Sequence, residues 1–180
     1  MRLNISRYYQ LNLKKKNLNI VDLGCGAGYF VYFAGLKGHN ALGLDRATSP
    51  EFDPIGPEVF NLMTNFFGIR KVSHNIQPFV PLPIEINNCD LITAFNAWFD
   101  GNYLSGTERK YCPWDLKTWE YFLEDSISRL NSMGRLYLDV NEKWEYQKGY
   151  YYPQNFVEML EKFPIKIKRF EKNILDIIKD

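Results

Sequence analysis

The sequence has little that marks a metal, redox, membrane or nucleic-acid protein. It carries three cysteines, Cys25, Cys89 and Cys112, and two histidines, His39 and His74. No pair of cysteines stands in C-x-x-C spacing, so no metal site and no redox pair is expected, and the thiols read as free in a reducing cytosol. Long apolar runs are missing. The longest, Tyr29 to Leu36, is far too short to cross a bilayer, and Met1 to Gln10 hold no apolar signal core. An excess of one charge is missing as well: 22 basic and 21 acidic residues leave a net charge of +1. A nucleic-acid binder carries a basic face or stripe. The one basic run here, Lys14-Lys15-Lys16, reads as a solvated segment ahead of the first strand. These absences lead us to expect a soluble cytoplasmic protein with no membrane and no nucleic-acid partner. Nothing in the sequence bears on oligomeric state.

What is present is ordinary for a globular chain. The 180 residues, 46% hydrophobic and 24% charged, suffice for one domain spanning 1–180 with its own core. Aromatic residues reach 16%. An aromatic pocket is one reading; a coding bias towards Phe, Tyr, Asn, Lys and Ile is the plainer one.

Strand-like and helix-like segments alternate. Ile20 to Leu23 reads as a strand, and Gly28 to Lys37 as a helix apolar nearly all round, stopped by Gly38. A second strand runs from Ala41 to Leu44 and closes on Asp45. After a loop from Thr48 to Pro57, a helix carries Val59, Phe60, Met63, Phe66 and Phe67 at helical spacing up to Gly68. Lys71 to His74 is a third strand, and a loop with Pro78, Pro81 and Pro83 excludes helix. Leu91 to Phe95 is a fourth strand, followed by an irregular segment to Trp114. Asp115 is a plausible N-cap for a helix with Trp119, Phe122, Leu123, Ile127 and Leu130 on one face. Arg135 to Val140 is a fifth strand. Pro153 suits the first turn of a helix that turns Phe156, Leu160 and Phe163 inward. Ile165 to Ile178 reads as two strands turning near Glu171 to Asn173. Strands separated by helices imply a parallel sheet covered on both faces.

The most informative stretch is Asn19 to Phe30, N-I-V-D-L-G-C-G-A-G-Y-F. An apolar strand ends on an acid, Asp22, and enters a turn with alternating glycines, Gly24, Gly26 and Gly28. Glycine supplies backbone angles that a Cβ forbids and lets the main chain approach a ligand. The dinucleotide fingerprint G-x-G-x-x-G would need a third glycine at position 29, which is Tyr29, so a nicotinamide oxidoreductase is disfavoured. No G-K-[ST] follows, which argues against a nucleoside-triphosphate loop.

The pattern D-x-G-x-G-x-G after a strand resembles the first motif of the class I S-adenosylmethionine (SAM) dependent methyltransferases. The resemblance covers about Asn17 to Val140 well and the tail more loosely. It implies an α/β, Rossmann-like three-layer sandwich with a mostly parallel seven-stranded sheet and an antiparallel last strand. It also implies SAM as cofactor and methyl transfer by in-line displacement to a small-molecule acceptor. Cofactor-site residues implied by it are Asp22 at the methionine amino end, Gly24, Cys25, Gly26, Gly28 and Tyr29 of the turn, and Asp45 with Arg46 at the ribose. An acid in the position of Asp45, about 20 residues beyond the glycines, accepts from both ribose hydroxyls in nucleotide folds. Asn75 matches the acid expected at the adenine, with Ile76 against the ring and His74 a second candidate; an amide oxygen accepts from the adenine amino group.

The acceptor is expected beyond the fourth strand, where Asn96 and Trp98 line the mouth. The run Phe95-Asn96-Ala97-Trp98-Phe99-Asp100 lacks N/D-P-P-Y, which argues against methylation of amino groups on bases or glutamine. Candidate bases are His74, Asp100 and Asp115, with His39 expected to be structural. Tyr103, Tyr111 and Trp114 form a candidate substrate lid. The alternative reading is a SAM-binding subunit or pseudo-methyltransferase without catalysis.

Overall fold

The computed structural model describes residues 2–46, 56–97, 99, 114–140 and 152–180. The loop expected at Thr48 to Pro57 therefore falls largely outside the described residues, as do Trp98, Asp100, Tyr103, Tyr111 and Cys112.

Among the described residues, seven strands form one sheet in the order β3-β2-β1-β4-β5-β7-β6. They are β1 (Asn19–Leu23), β2 (Asn40–Asp45), β3 (Lys71–Ser73), β4 (Cys89–Ala97), β5 (Leu130–Val140), β6 (Ile165–Phe170) and β7 (Ile174–Lys179). The pairings β1·β2, β1·β4, β2·β3 and β4·β5 are parallel, whereas β7 runs antiparallel to both β5 and β6. The last strand is thus the one reversed strand, as expected. Helices α1 (Arg2–Gln10), α2 (Tyr29–Leu36) and α3 (Gly56–Phe66) and helices α4 (Leu116–Ser128) and α5 (Phe156–Leu160) complete the fold.

Alternating side chains along the strands feed two cores. Val21, Leu23, Ile92, Ala94, Leu136 and Leu138 pack with α4 and α5. Ile20, Leu91, Phe95 and Tyr137 pack with α1 and α2. The result is a three-layer sandwich with its centre at β1 and β4.

Several local expectations change. Helix α1 was not anticipated, because its polar composition carries a weak apolar stripe. It is held by tertiary contacts: Tyr8 and Leu11 are buried against Phe30 and Ala34, and Arg135 donates to the Leu11 carbonyl at 2.7 Å. Arg135 also grips buried Asp176 through two bonds of 2.7 and 2.8 Å, which joins α1 to the β5–β7 pair. Leu130 belongs to β5 rather than to the face of α4. Its pairing with Cys89 is followed by an irregular step to Leu91↔Arg135, with Met133 at φ 61°. Phe163 lies beyond the end of α5 and is half-buried. The apolar stripe of α3 is largely exposed, Phe66 at 85%, Val59 at 41% and Phe60 at 40%.

His39 is structural, as expected. Its Nδ1 accepts from the Leu18 N–H at 3.3 Å, so Nε2 carries the proton and donates to the Tyr8 hydroxyl at 2.7 Å. Burial pulls the His39 pKa down. A histidine depressed in the folded state contributes stability that is present above its ordinary pKa of about 6.5 and lost as pH falls below it. Tyr8→Phe leaves the Nε2 proton buried and unpaired, with an expected loss of about 1–2 kcal/mol in urea unfolding at pH 8.

Candidate functional site at the carboxyl edge of the sheet

In open α/β sheets the ligand crevice lies at the carboxyl ends of the strands, where strand order reverses. Here that point is the β1–β4 boundary, and the glycine turn leaves β1 directly beside it. Gly24, Gly26 and Gly28 have φ of 69°, 53° and 74°, a region that favours glycine. Space demands glycine too. A Cβ on Gly24 would lie 3.2 Å from the Ala97 Cβ at the end of β4, and one on Gly28 would lie 2.4 Å from Ile69 Cδ1.

The register Asp22↔Gly43 and Leu23↔Leu44 puts Asp45 beside the first glycine, one strand away from Asp22. Asp45 Oδ2 accepts from the Gly26 N–H at 2.6 Å, and Oδ1 accepts from the Arg46 N–H at 2.8 Å. A carboxylate offers about four acceptor positions, so a ligand hydroxyl has positions left to donate to. Asp22 is 4% exposed. Its Oδ1 accepts from the Thr93 hydroxyl at 2.8 Å. Burial pushes its pKa up to about 7, opposed by the Thr93 bond and by the charge of Arg7, and reinforced by the charge of Asp45. The two acids therefore share one edge and sense each other.

Other expected residues sort differently. Tyr29 opens α2, its hydroxyl 3.7 Å from Met63 Sδ and its ring against Phe67. The Cys25 thiol turns beneath the turn towards Gly43, where a Cβ would meet Sγ at 2.6 Å. The Cys25 N–H donates to the Leu44 carbonyl and its own carbonyl accepts from Gly28, so Cys25 shapes the turn from below. Asn96 is exposed at φ 54°, in the bulge between Phe95↔Asp139 and Ala97↔Val140. Bulges next to functional sites re-aim side chains. Asn75 is half-buried just past β3, and Ile76 packs against the larger core.

The His74 N–H donates to the Asp45 carbonyl at 2.8 Å. Its ring sits in the field of Asp125 of α4 and of Arg129 just past the end of that helix, and burial first, then Arg129, lowers its pKa. Asp115 caps α4, accepting from the Thr118 N–H at 2.8 Å and hydroxyl at 2.6 Å, which holds its pKa down. Trp114, expected on a lid, is instead 3% exposed in a cluster with Phe99, Trp119 and Phe122. Its bulk fills the core beneath α4, so it is not a surface that a substrate meets.

Three residues of the site were missed. Phe60 of α3 lies beside Gly26, its ring 3.9 Å from where a Cβ would be. Thr93 is a polar residue in an otherwise apolar buried strand, a signal that was legible. Arg7 stacks 4.8 Å over the Phe95 ring at the end of β4, and no local pattern announces it.

A second hollow, of about 1060 Å3, opens where β6 ends, lined by Tyr152, Asn155, Phe156, Phe170 and Lys172 among others. Its floor is aromatic: Tyr152 stacks on Phe156 at 4.4 Å, and Phe156 on Phe170 at 5.7 Å. Because β6 runs parallel to β4, the hollow opens on the same sheet edge as the glycine turn. Three strand spacings separate it from β4, roughly 14 Å. Among the described residues, no helix is long and apolar enough to cross a membrane.

This sheet order, with its single reversed strand, is the fold of the class I SAM-dependent methyltransferases. Solved structures similar to the chain include a TehB-like SAM-dependent methyltransferase from Corynebacterium glutamicum, 15% identical over 98% of this chain and 87% of that one, with a TM-score of 0.58. Magnesium protoporphyrin IX methyltransferase from Synechocystis PCC 6803 with bound SAH is 11% identical over 98% and 80%, with a TM-score of 0.61. A ribosomal protein L11 methylase from Lactobacillus delbrueckii subsp. bulgaricus is 18% identical over 99% and 77%, with a TM-score of 0.55. No protein-family model matches the sequence, and no curated protein sequence matches it.

Proposed function

We propose that the chain is a SAM-dependent methyltransferase acting on a small-molecule acceptor. The observation that carries this reading is the pair of acids at adjacent strand ends, with the glycine turn between them and one acid bonded to it. The donor set fits the cofactor. Asp22 suits an ammonium group, and Asp45 suits ribose hydroxyls. The glycines keep clear a cradle that side chains would fill. Phe60 offers an aromatic wall beside Gly26. SAM, when bound, supplies an electrophilic methyl group on a sulfonium.

The chain's own part is to bind, orient and exclude water. In-line transfer gains much of its rate from alignment. Asn96, re-aimed by the β4 bulge, stands where the transfer mouth is expected. The aromatic hollow at β6 gives an acceptor an apolar platform on the same edge. A planar or apolar acceptor long enough to reach from there towards β4 matches that layout.

A panel of SAM, S-adenosylhomocysteine and NAD in thermal unfolding tests the reading. A true ligand at about 100 times Kd stabilises by about 2.7 kcal/mol, a rise of roughly 5–10 °C for a chain of this size. Both adenosyl compounds are expected to give it and NAD is not. The second reading, a SAM-binding subunit without catalysis, draws on the use of Asp115 as the cap of α4. Release of S-adenosylhomocysteine during incubation with a metabolite extract excludes it.

A further inference from the structure

We propose that α3 is the contact surface of a two-fold dimer, in which the helix pairs antiparallel with α3 of a second copy of this chain. The proposal stands independently of the methyltransferase reading.

Helix α3 is apolar over a wider arc than one neighbour covers. At helical periodicity Phe60, Met63, Thr64 and Phe67, the last just past the helix end, share one face. That face is used. The Tyr29 hydroxyl meets Met63 Sδ at 3.7 Å, and the Phe67 ring packs on Tyr29 and Tyr32 at 5.8 and 4.6 Å. Phe60 and Thr64 lie beside Gly26 and Gly28. Val59, Leu62 and Phe66 fall on the next face, at i, i+3 and i+7. They meet solvent, with Phe66 85% and Leu62 68% exposed. Leu36, one turn along α2 from Tyr32, continues this surface at 64% exposure. In a folded assembly, a helix apolar on more than one face is covered on more than one side.

Area and charge select the occupant. Together Val59, Leu62, Phe66 and Leu36 present roughly 400–500 Å2 of apolar surface. One side of a standard interface gives up about 800 Å2, a little over half of it apolar. The patch therefore matches the apolar share of one partner. Glu58 is the one charged residue in the α3 sequence. A helix that lies on a lipid surface sets Lys and Arg beside its apolar face, and α3 has neither. A second copy fits instead. Glu58 stands in the first turn of α3, next to the exposed face, and exposed Arg70 stands beyond the other end, with one donor on Asn40 Oδ1 at 2.9 Å. A two-fold axis near Leu62 lays two helices, each about 16 Å long, antiparallel across each other. Stripe then meets stripe, and each Glu58 comes to the Arg70 end of the other copy. A parallel pair would set the two Glu58 carboxylates together. The contact also braces Phe60, on the inner face of the same helix, beside Gly26.

The experiment is sedimentation velocity of the full chain across about 1 to 100 μM, the range in which a weak to moderate dimer dissociates. Wild type is expected to sediment as a dimer of the 21.2 kDa chain, with monomer appearing on dilution. Phe66→Glu places a charge at the centre of the contact and should weaken the dimer at least about tenfold. Phe66 is open to solvent in the single chain, so the circular dichroism of the variant should match wild type. Glu58→Arg should weaken the dimer about 5- to 10-fold, because the two-fold axis repeats the lost pair. Glu58→Arg combined with Arg70→Glu should restore it. Wild type that stays monomeric throughout overturns the proposal, as does a dimer indifferent to Phe66→Glu. A double reversal that restores nothing overturns the antiparallel arrangement. If Phe66→Glu does not fold, Leu62→Ser and the charge reversals decide on the same terms. Flotation of a monomeric wild type with phosphatidylcholine–phosphatidylglycerol vesicles would assign the face to lipid and overturn the second copy as its occupant.

Discussion

Asp45→Ala is expected to weaken SAM about 10- to 100-fold in calorimetry, the loss of hydrogen bonds from ligand hydroxyls to a charged acceptor. The structure adds a second consequence. Asp45 holds the Gly26 N–H at 2.6 Å and its neighbour's N–H at 2.8 Å. Removing it releases the middle of the glycine turn, and the ligand-free protein should also melt lower. Asp45→Asn separates the two effects. Its amide oxygen can still accept from Gly26, so the turn is kept, while one acceptor position becomes a donor that opposes a ribose hydroxyl. Unchanged affinity in both variants removes Asp45 from the site. Equal affinity loss in both variants, with the melting temperature falling only in Asp45→Ala, assigns it to the ligand.

The second large effect is in pH. Buried Asp22 has its pKa raised to about 7, with desolvation as the main cause. An ammonium group on the ligand needs the ionised form, so binding below that value must first expel a proton. Affinity for S-adenosylhomocysteine is expected to fall about tenfold for each pH unit below about 7. It should also decline at alkaline pH, where the ligand's α-amino group loses its own proton. Calorimetry across pH 5.5 to 9 in buffers of different ionisation enthalpy reads both limbs and the released proton. Asp22→Asn should flatten the acid limb. A flat acid limb in wild type would show that Asp22 does not meet a cation.

The same shift bears on stability. A carboxyl whose folded pKa is raised contributes stability that is complete below its unfolded value, about 4, and is lost as pH rises through about 7. At pH 8 the ligand-free wild type therefore carries a buried charge at a cost, and Asp22→Asn should raise its melting temperature while weakening the ligand. A residue that costs stability and gains it back on binding is the pattern of a functional site. Thr93 keeps a partner in either case, since the asparagine oxygen accepts its hydroxyl as the carboxylate does.

The site was partly legible because its core is local in sequence. An acid and three glycines within one strand-to-turn segment, with another acid closing the next strand, announce themselves through backbone geometry alone. Trp114 shows where local reading ends. An aromatic residue in an irregular polar segment fits a lid and a core equally well, and burial against Phe99 and Trp119 is decided by distant chain. Cys25 shows the same: position within the turn was evident, but the direction of its thiol depends on the absence of a side chain at Gly43. The helical spacing of α3 was correct, yet spacing does not say that its apolar stripe stays exposed.

The alternation of strands and helices, the glycine turn with its flanking acid, and the turn between the last two strands were determined by the sequence itself, because periodicity and turn chemistry act over a few residues. Tertiary structure alone decided that α1 forms and brings Arg7 to Phe95, that Asp22 is buried enough to hold a proton near neutral pH, and that an aromatic hollow opens where β6 ends. Each of these depends on which segments meet across the sheet. Desolvation and packing are properties of that meeting, and no single segment encodes them.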